Sequence, residues 1–187
     1  MNKLRPAFNK MKKAILTEGK IEVDSACLYD GNYLHSQFAK KYGNKIPTLH
    51  ILNHKHIKHP HYAILLYDKS TPNNFVHWFV YNIHTFDLKD SVDNQFFMSN
   101  NYPTMHNDFG SPGYGGPQPP SGVHTYVFQP IKYDEEITKQ EVSDVMHLHQ
   151  KETYDRIMAL FSKRSNVEFI EPTEVLYDAK NHGEANV

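Results

Sequence analysis

The sequence nearly lacks cysteine. Its 187 residues contain one, Cys27, which excludes an internal disulfide and a cysteine-built zinc site and fits a reducing, cytoplasmic setting. Long apolar runs are missing too. The basic stretch Lys3, Arg5, Lys10, Lys12 and Lys13 leads into KKAILTEGK, which breaks too soon for a signal peptide or a membrane span. The chain also lacks net charge. With 20 Lys and Arg against 21 Asp and Glu, the formal balance is −1, so no global field draws it to nucleic acid or an acidic membrane surface. Finally, it has no GxGxxG, no phosphate-binding loop ending in Gly-Lys-Ser/Thr, no HExxH and no GxSxG, which removes the commonest nucleotide, metalloprotease and serine-hydrolase signatures.

What is present is ordinary folded composition, 39% hydrophobic and 22% charged, enough for one domain over residues 1–187 with a sizeable core. Thirteen histidines and twelve tyrosines stand out. A short strand is expected near Ala14–Leu16, another in GKIEVDS and another in TLHIL. LYDGNYLHSQFAKKYGNKIP reads as turn-rich and irregular. His54, His56, His59 and His61 fall in one polar run with no carboxylate or cysteine to close a site, so that run reads as a solvated loop with adventitious metal affinity.

YAILLY (62–67) reads as a buried strand ending at Asp68, and VHWFVYNI (76–83) as a strand covered on both sides. Simple alternation places His77, Phe79 and Tyr81 on one face and Val76, Trp78, Val80 and Asn82 on the other. Residues 100–122 hold five glycines and five prolines with aromatics interleaved. Such a stretch reads as a rigid loop shaping a ligand site rather than as a linker. It runs directly into the strand VHTYVFQPI, where His124 and Tyr126 share a face. Farther on, Thr138 and Glu141 have capping-box spacing, with Ile137 and Val142 placed as a hydrophobic staple. The apolar pairs Val142/Met146 and Ile157/Phe161 are out of phase, which predicts two helices meeting near His149–Lys151. VEFIEPTEVLYD is expected to add one final strand.

Asp68, His77, His124 and Tyr126 together offer imidazole donors, a phenol and a carboxylate, a set that suits a phosphate-sized anion. Backbone N–H groups of the glycine-rich loop would add donors. With no Lys or Arg in these segments, binding should be weak unless the histidines are protonated. The same Asp and His residues are of metal-ligand type, and a His-Asp pair could serve as a base. Yet only Cys27 and Ser70 remain as nucleophiles, by elimination.

The segments GNKIPTL, AILLYDKSTP, VHWFVYNI and NDFGSPGYGGPQPPSGVHTY, in that order, resemble the phosphatidylethanolamine-binding protein family, most closely its bacterial and archaeal Raf-kinase-inhibitor-like (YbhB/YbcL) branch. The likeness is strong over residues 44–130. It implies a mostly β fold with a large central antiparallel sheet, a smaller second sheet and peripheral helices, and a pocket for phosphate, phosphoethanolamine or similar anions. By motif, the resemblance assigns to that pocket Asp68, Pro72, His77, Gly116, Pro117, His124 and Tyr126, with no metal and no cofactor. Lys69 and Ser70 replace the family's Pro-Asp, removing one pocket carboxylate. Ile46 stands for a serine, Thr125 for an arginine, and Gln118 for a cysteine common in bacterial relatives. The expected function is binding of a small anion or phosphorylated head group, with modulation of a partner protein in view. The alternative is a weak hydrolase using His77 or His124 as base.

Overall fold

In the computed structural model, residues 19–52, 61–84, 90–148 and 150–180 are described. The expected strand at Ala14–Leu16 and the histidines 54, 56 and 59 lie outside them. Among the described residues, ten strands form two sheets: β1 (Ile21–Val23), β2 (Leu28–Tyr29), β3 (Tyr33–Leu34), β4 (Leu49–Ile51), β5 (His61–Asp68), β6 (Phe75–Ile83), β7 (Ser91–Val92), β8 (Val123–Tyr133), β9 (Val167–Phe169) and β10 (Thr173–Asp178). Three α-helices lie among the described residues: α1 (Asn94–Asn100), α2 (Lys139–Met146) and α3 (Thr153–Ser162). No helix among the described residues is long and apolar enough to cross a membrane.

The small sheet runs β1-β4-β7, and the large one runs β2-β3-β10-β8-β5-β6 with β9 also on β8. The large sheet is mixed rather than wholly antiparallel, because β3 pairs with β10 in parallel through Tyr33 and Leu176. Alternation along β5 sends Ile64 and Leu66 to one face and Ala63 and Leu65 to the other. The first face packs on the small sheet through Ile21, Leu49, Ile51 and Val92. The second packs on α2 and α3 through Val145, Ile157, Leu160 and Phe161. The central strands are therefore apolar on both faces, which is why YAILLY shows no polar alternation.

Two local departures refine the sequence reading. LYDGNYLHS forms a hairpin, β2 with β3, where irregular chain was expected. Asp30 and Gly31 take left-handed φ of 46° and 82° at its turn, the conformation that tight hairpins require. The tail forms two strands instead of one, and both β9 and β10 pair with β8. The helical region is as expected. Thr138 and Glu141 make a reciprocal capping box, and α2 and α3 are separate helices on either side of 147–152.

β6 does not follow simple alternation. Leu66 pairs with Trp78 and Tyr67 with Val76, so His77 is the extra residue of a bulge. A second irregularity falls between the pairs Ile64–Val80 and Tyr62–Ile83, where Asn82 adopts φ 55°. The bulge at His77 places Val76, Phe79 and Tyr81 on the helix side and Trp78 and Val80 on the sheet side. The expected face shared by His77, Phe79 and Tyr81 is thus corrected, because one inserted residue reverses the phase of all that precede it.

Asn82 is buried and fully engaged. Its backbone N–H donates to the Tyr133 hydroxyl (2.7 Å), and its side-chain N–H donates to the Ile137 carbonyl (2.9 Å). Its Oδ1 accepts from Ile137 N–H (2.9 Å) and from the Tyr133 hydroxyl (3.0 Å). This amide docks the lead-in to α2 onto β6. Asn82→Ala strands several buried polar groups and keeps the left-handed φ, so it should lower unfolding free energy by about 2–4 kcal/mol in urea titrations. The cap variant Thr138→Ala should cost only about 1 kcal/mol.

Candidate functional site

The end of β5, the start of β6 and the start of β8 meet at one edge of the large sheet. Asp68 is the last residue of β5 and lies opposite Tyr126 of β8 and Phe75 of β6. From that register, Asp68 reaches His124, whose Nδ1 lies 2.6 Å from Asp68 Oδ2. Asp68 Oδ1 accepts from the Ser70 backbone N–H at 2.8 Å, and Asp68 O accepts from the Thr71 hydroxyl at 2.8 Å. The Thr71 hydroxyl in turn accepts from Phe75 N–H at 2.8 Å, closing the turn between β5 and β6. Asp68 is thus buried, fixed and held against one imidazole.

His77 is the second imidazole. The bulge turns it toward Tyr126, with ring centroids 5.1 Å apart and nearly perpendicular. Phe75 and Phe109 enclose it on other sides. Its Nδ1 faces the carbonyls of Gly115 (2.7 Å) and Gly116 (3.1 Å). A carbonyl only accepts, so Nδ1 carries the proton and Nε2 presents a lone pair in the neutral ring. The ring is 3% exposed, and burial holds its pKa below the ordinary 6.5, despite the opposing influence of Gly115, Asp68 and Gly116. His124 is constrained in the same sense, because its Nδ1 faces a carboxylate and its remaining nitrogen turns elsewhere.

Tyr126 supplies the complementary group. It is fully buried, and its hydroxyl makes no hydrogen bond of good geometry within the protein, although Asp68 and the backbone of Gln118 lie within electrostatic reach. Burial first, and then the Asp68 charge, push the phenol pKa far up, so Tyr126 stays an O–H donor. The trio therefore offers two imidazole nitrogens and one phenol around a fixed carboxylate.

The glycine- and proline-rich loop is held rigidly, as its composition leads one to expect. β6 is an edge strand, and the loop covers that edge. Tyr81 N–H donates to Pro103 O, Met105 N–H to Phe79 O, Asp108 N–H to Val76 O and Gly115 N–H to His77 O. Asp108 Oδ2 also accepts from Val76 N–H at 2.6 Å. On its other side the loop is clamped by the segment 38–44. Gly116 N–H donates to Asn44 Oδ1 (2.7 Å), Asn44 Nδ2 donates to Tyr114 O (3.0 Å), and the Tyr114 hydroxyl donates to Phe38 O (2.9 Å). A Cβ on Gly116 would lie 2.0 Å from Phe38 O and 3.0 Å from the Ala39 carbonyl carbon. Only glycine fits there.

The structure brings Asp68, His77, His124 and Tyr126 together, and Gly116 joins them through its carbonyl. Pro117 is buried behind them, accepting from Lys40 N–H at 3.2 Å. Pro72 sits exposed in the β5–β6 turn. The residues that replace the family's Pro-Asp act elsewhere. Lys69 pairs with Glu174 at 2.6 Å, and the Ser70 hydroxyl accepts from Thr125 N–H at 2.9 Å. Cys27 is buried beside Thr48 and Asp24, and burial raises its thiol pKa. Neither elimination candidate is hydrogen-bonded to a site histidine. Among the described residues no three metal-ligating side chains converge. Sequence reasoning missed the carbonyl of Gly115, the aromatic walls Phe75 and Phe109, and the clamp residue Asn44, which showed only as a turn signal.

A family model for the phosphatidylethanolamine-binding proteins matches residues 24–162. The chain belongs to the phosphatidylethanolamine-binding protein family. Two archaeal members of the curated UPF0098 proteins are similar to it. The one from Archaeoglobus fulgidus is 30% identical over 141 residues, covering 65% of this chain and 48% of that protein. The one from Methanothermobacter thermautotrophicus is 30% identical over 96 residues, covering 46% of this chain and 64% of that protein. The chain thus spans less than two thirds of the length of each. Among solved structures, Escherichia coli YbcL, described as a member of the mammalian family, has a TM-score of 0.59 at 19% identity, over 86% of this chain and 98% of that one. A phosphatidylethanolamine-binding protein homolog from Chlamydia trachomatis gives 0.58 at 17%, over 85% and 96%. At these identities the likeness establishes the fold, a family β architecture with peripheral helices.

Two outcomes follow for the site. Gly116→Ala should destabilise the protein by about 3 kcal/mol or more and displace the His77 ring, which thermal unfolding and imidazole NMR shifts would reveal. Because the folded state holds His77 neutral, the unfolded chain binds its proton more readily. The stability that His77 contributes is therefore intact above 6.5 and declines as the pH falls below it. His77→Gln should flatten that acid limb in urea titrations at stepped pH.

Proposed function

We propose that this family member binds a small phosphate-bearing anion between His77, His124 and Tyr126, and takes up a proton as it does so. The observation that carries the reading is the buried Tyr126 hydroxyl, which makes no hydrogen bond of good geometry among the described residues and belongs to a ring that packs on His77, two residues along β8 from His124. A buried donor left unpaired costs about 1–3 kcal/mol, and a ligand oxygen would recover it. Family membership supports ligand binding in general terms, and the site's chemistry narrows the ligand.

The proton follows from charge balance. With both rings neutral the pocket carries the negative charge of Asp68 and presents imidazole lone pairs, which repel a dianion. Adding one proton makes an Nε2–H donor, or makes the ligand a monoanion with an O–H for Nε2 to accept. Asp68 Oδ2, 2.6 Å from His124 Nδ1, fixes the orientation of that ring. No lysine or arginine takes part, so affinity is modest and strongly pH-dependent.

Inorganic phosphate and O-phosphoethanolamine, titrated separately and followed by imidazole and backbone NMR shifts, test this. Saturable shifts around His77, His124 and Tyr126 are expected, with the apparent Kd weakening about fivefold for inorganic phosphate, which itself titrates near neutrality, and closer to about tenfold for O-phosphoethanolamine between pH 7 and pH 8, as uptake of one proton demands. Tyr126→Phe and His124→Ala should abolish them. An affinity independent of pH would contradict the proton uptake, and absence of shifts at millimolar ligand would overturn the anion assignment.

A further inference from the structure

A second concavity lies on the other side of the same loop. It measures about 350 Å³, and Trp78, Phe97 and Tyr114 form its aromatic part while Asn94, Asn101 and Thr104 bring polar groups to it. That volume lies at the lower end of small-molecule pockets, and an apolar floor with a few polar groups is their usual make-up. Trp78 and Phe97 are almost wholly buried, whereas Met98 at the rim is 70% exposed. The cavity is therefore open on one side and deep on the other. It takes in none of the four residues of the anion site.

Its chemistry is distinct from that of the anion site. No charged side chain lines it among the described residues. Its unused polar groups include several donors, alongside the Asn101 side chain and the Thr104 hydroxyl, which can donate or accept. Asn94 uses its Oδ1 to accept from Ile46 N–H at 3.1 Å, and its amide N–H groups have no acceptor among the described residues. The Trp78 indole N–H likewise makes no hydrogen bond to a described residue. The Thr104 hydroxyl makes no hydrogen bond among the described residues either, while its backbone bridges to Val80. Trp78 meets Phe97 edge to face at 4.8 Å and Tyr114 at 5.7 Å, so the walls are rigid and favour a ring.

We infer that this cavity is a second binding site, for an uncharged small molecule with an aromatic or other flat apolar face and a carbonyl oxygen as its main polar group. Donors without acceptors select a carbonyl, and the absence of lining charge disfavours ions on desolvation grounds. The anion site and this one recognise opposite kinds of ligand from opposite sides of residues 112–116.

Trp78 is the sole tryptophan of the chain, so its fluorescence reports on this cavity alone. The probe is 4-fluorobenzamide, a neutral ring bearing a carbonyl, with its fluorine resonance as an independent readout. Saturable changes in both signals with a common Kd at or below about 10 mM are expected. Asn94→Asp keeps the acceptor for Ile46 N–H but replaces the amide donors with a charge, and should abolish the saturable change. Thr104→Val removes one hydroxyl from a residue that bonds through its backbone, and should weaken binding about fivefold. His124→Ala should leave binding unchanged, which separates this site from the anion site. A linear, non-saturating response, or saturable binding that both cavity variants retain, would overturn the inference. If Asn94→Asp fails to fold, Thr104→Val alone decides it.

Discussion

The hydrogen bond from His77 Nδ1 to the Gly115 carbonyl is the contact on which this end of the molecule depends. It is paired with the reverse backbone bond, Gly115 N–H to His77 O. Together they join the edge strand β6 to the loop that covers it, set the tautomer of His77 and locate the neighbouring Gly116. The bulge in β6 is what makes the geometry available. Without the extra residue, His77 would point to the helix-packed face with Phe79, away from Tyr126. Sheet irregularity, loop docking and protonation state are three aspects of one local arrangement.

The same arrangement explains how a loop so rich in glycine and proline is ordered. It behaves as a substitute strand, meeting β6 at Val76, His77, Phe79 and Tyr81. An edge strand with apolar residues on both faces would otherwise expose a row of backbone groups ready to pair with another chain. Covering that edge and building a pocket are therefore accomplished by one segment. Clamping from the Asn44 side gives the loop a second wall, and the missing Cβ of Gly116 is what lets the two backbones approach.

Much of this was legible in the sequence, and the failures have physical causes. A continuous apolar run gave away β5, the end of the glycine- and proline-rich stretch marked the start of β8, and capping chemistry at Thr138 and Glu141 marked the start of α2, because these signals are local. The grouping of Asp68, His124 and Tyr126 was also accessible, since strand ends and period-two spacing fix it once the strands are placed. The phase of β6 was not. Nothing in VHWFVYNI announces a bulge at His77 or a left-handed Asn82, because both depend on partners 38 to 55 residues distant. The β2–β3 hairpin was hidden for a different reason: two-residue strands carry too little pattern to separate from a turn-rich loop, and only pairing with β10 makes them part of a sheet.

That pairing has a kinetic consequence. In the large sheet β10 lies between β3 and β8, so the β2–β3 hairpin, made early, joins the sheet only through residues near the end of the described chain. A ribosome that has released everything up to α3 has delivered the centre of the sheet with one flank open and the hairpin without its neighbour. Final closure of the large sheet must then follow synthesis of residues 173–178, with the long loop-closure search that such sequence separation entails. Until then β8 presents an unpaired edge along Val123–Phe128, and the nascent protein is most exposed to misassembly at the strand that carries His124 and Tyr126.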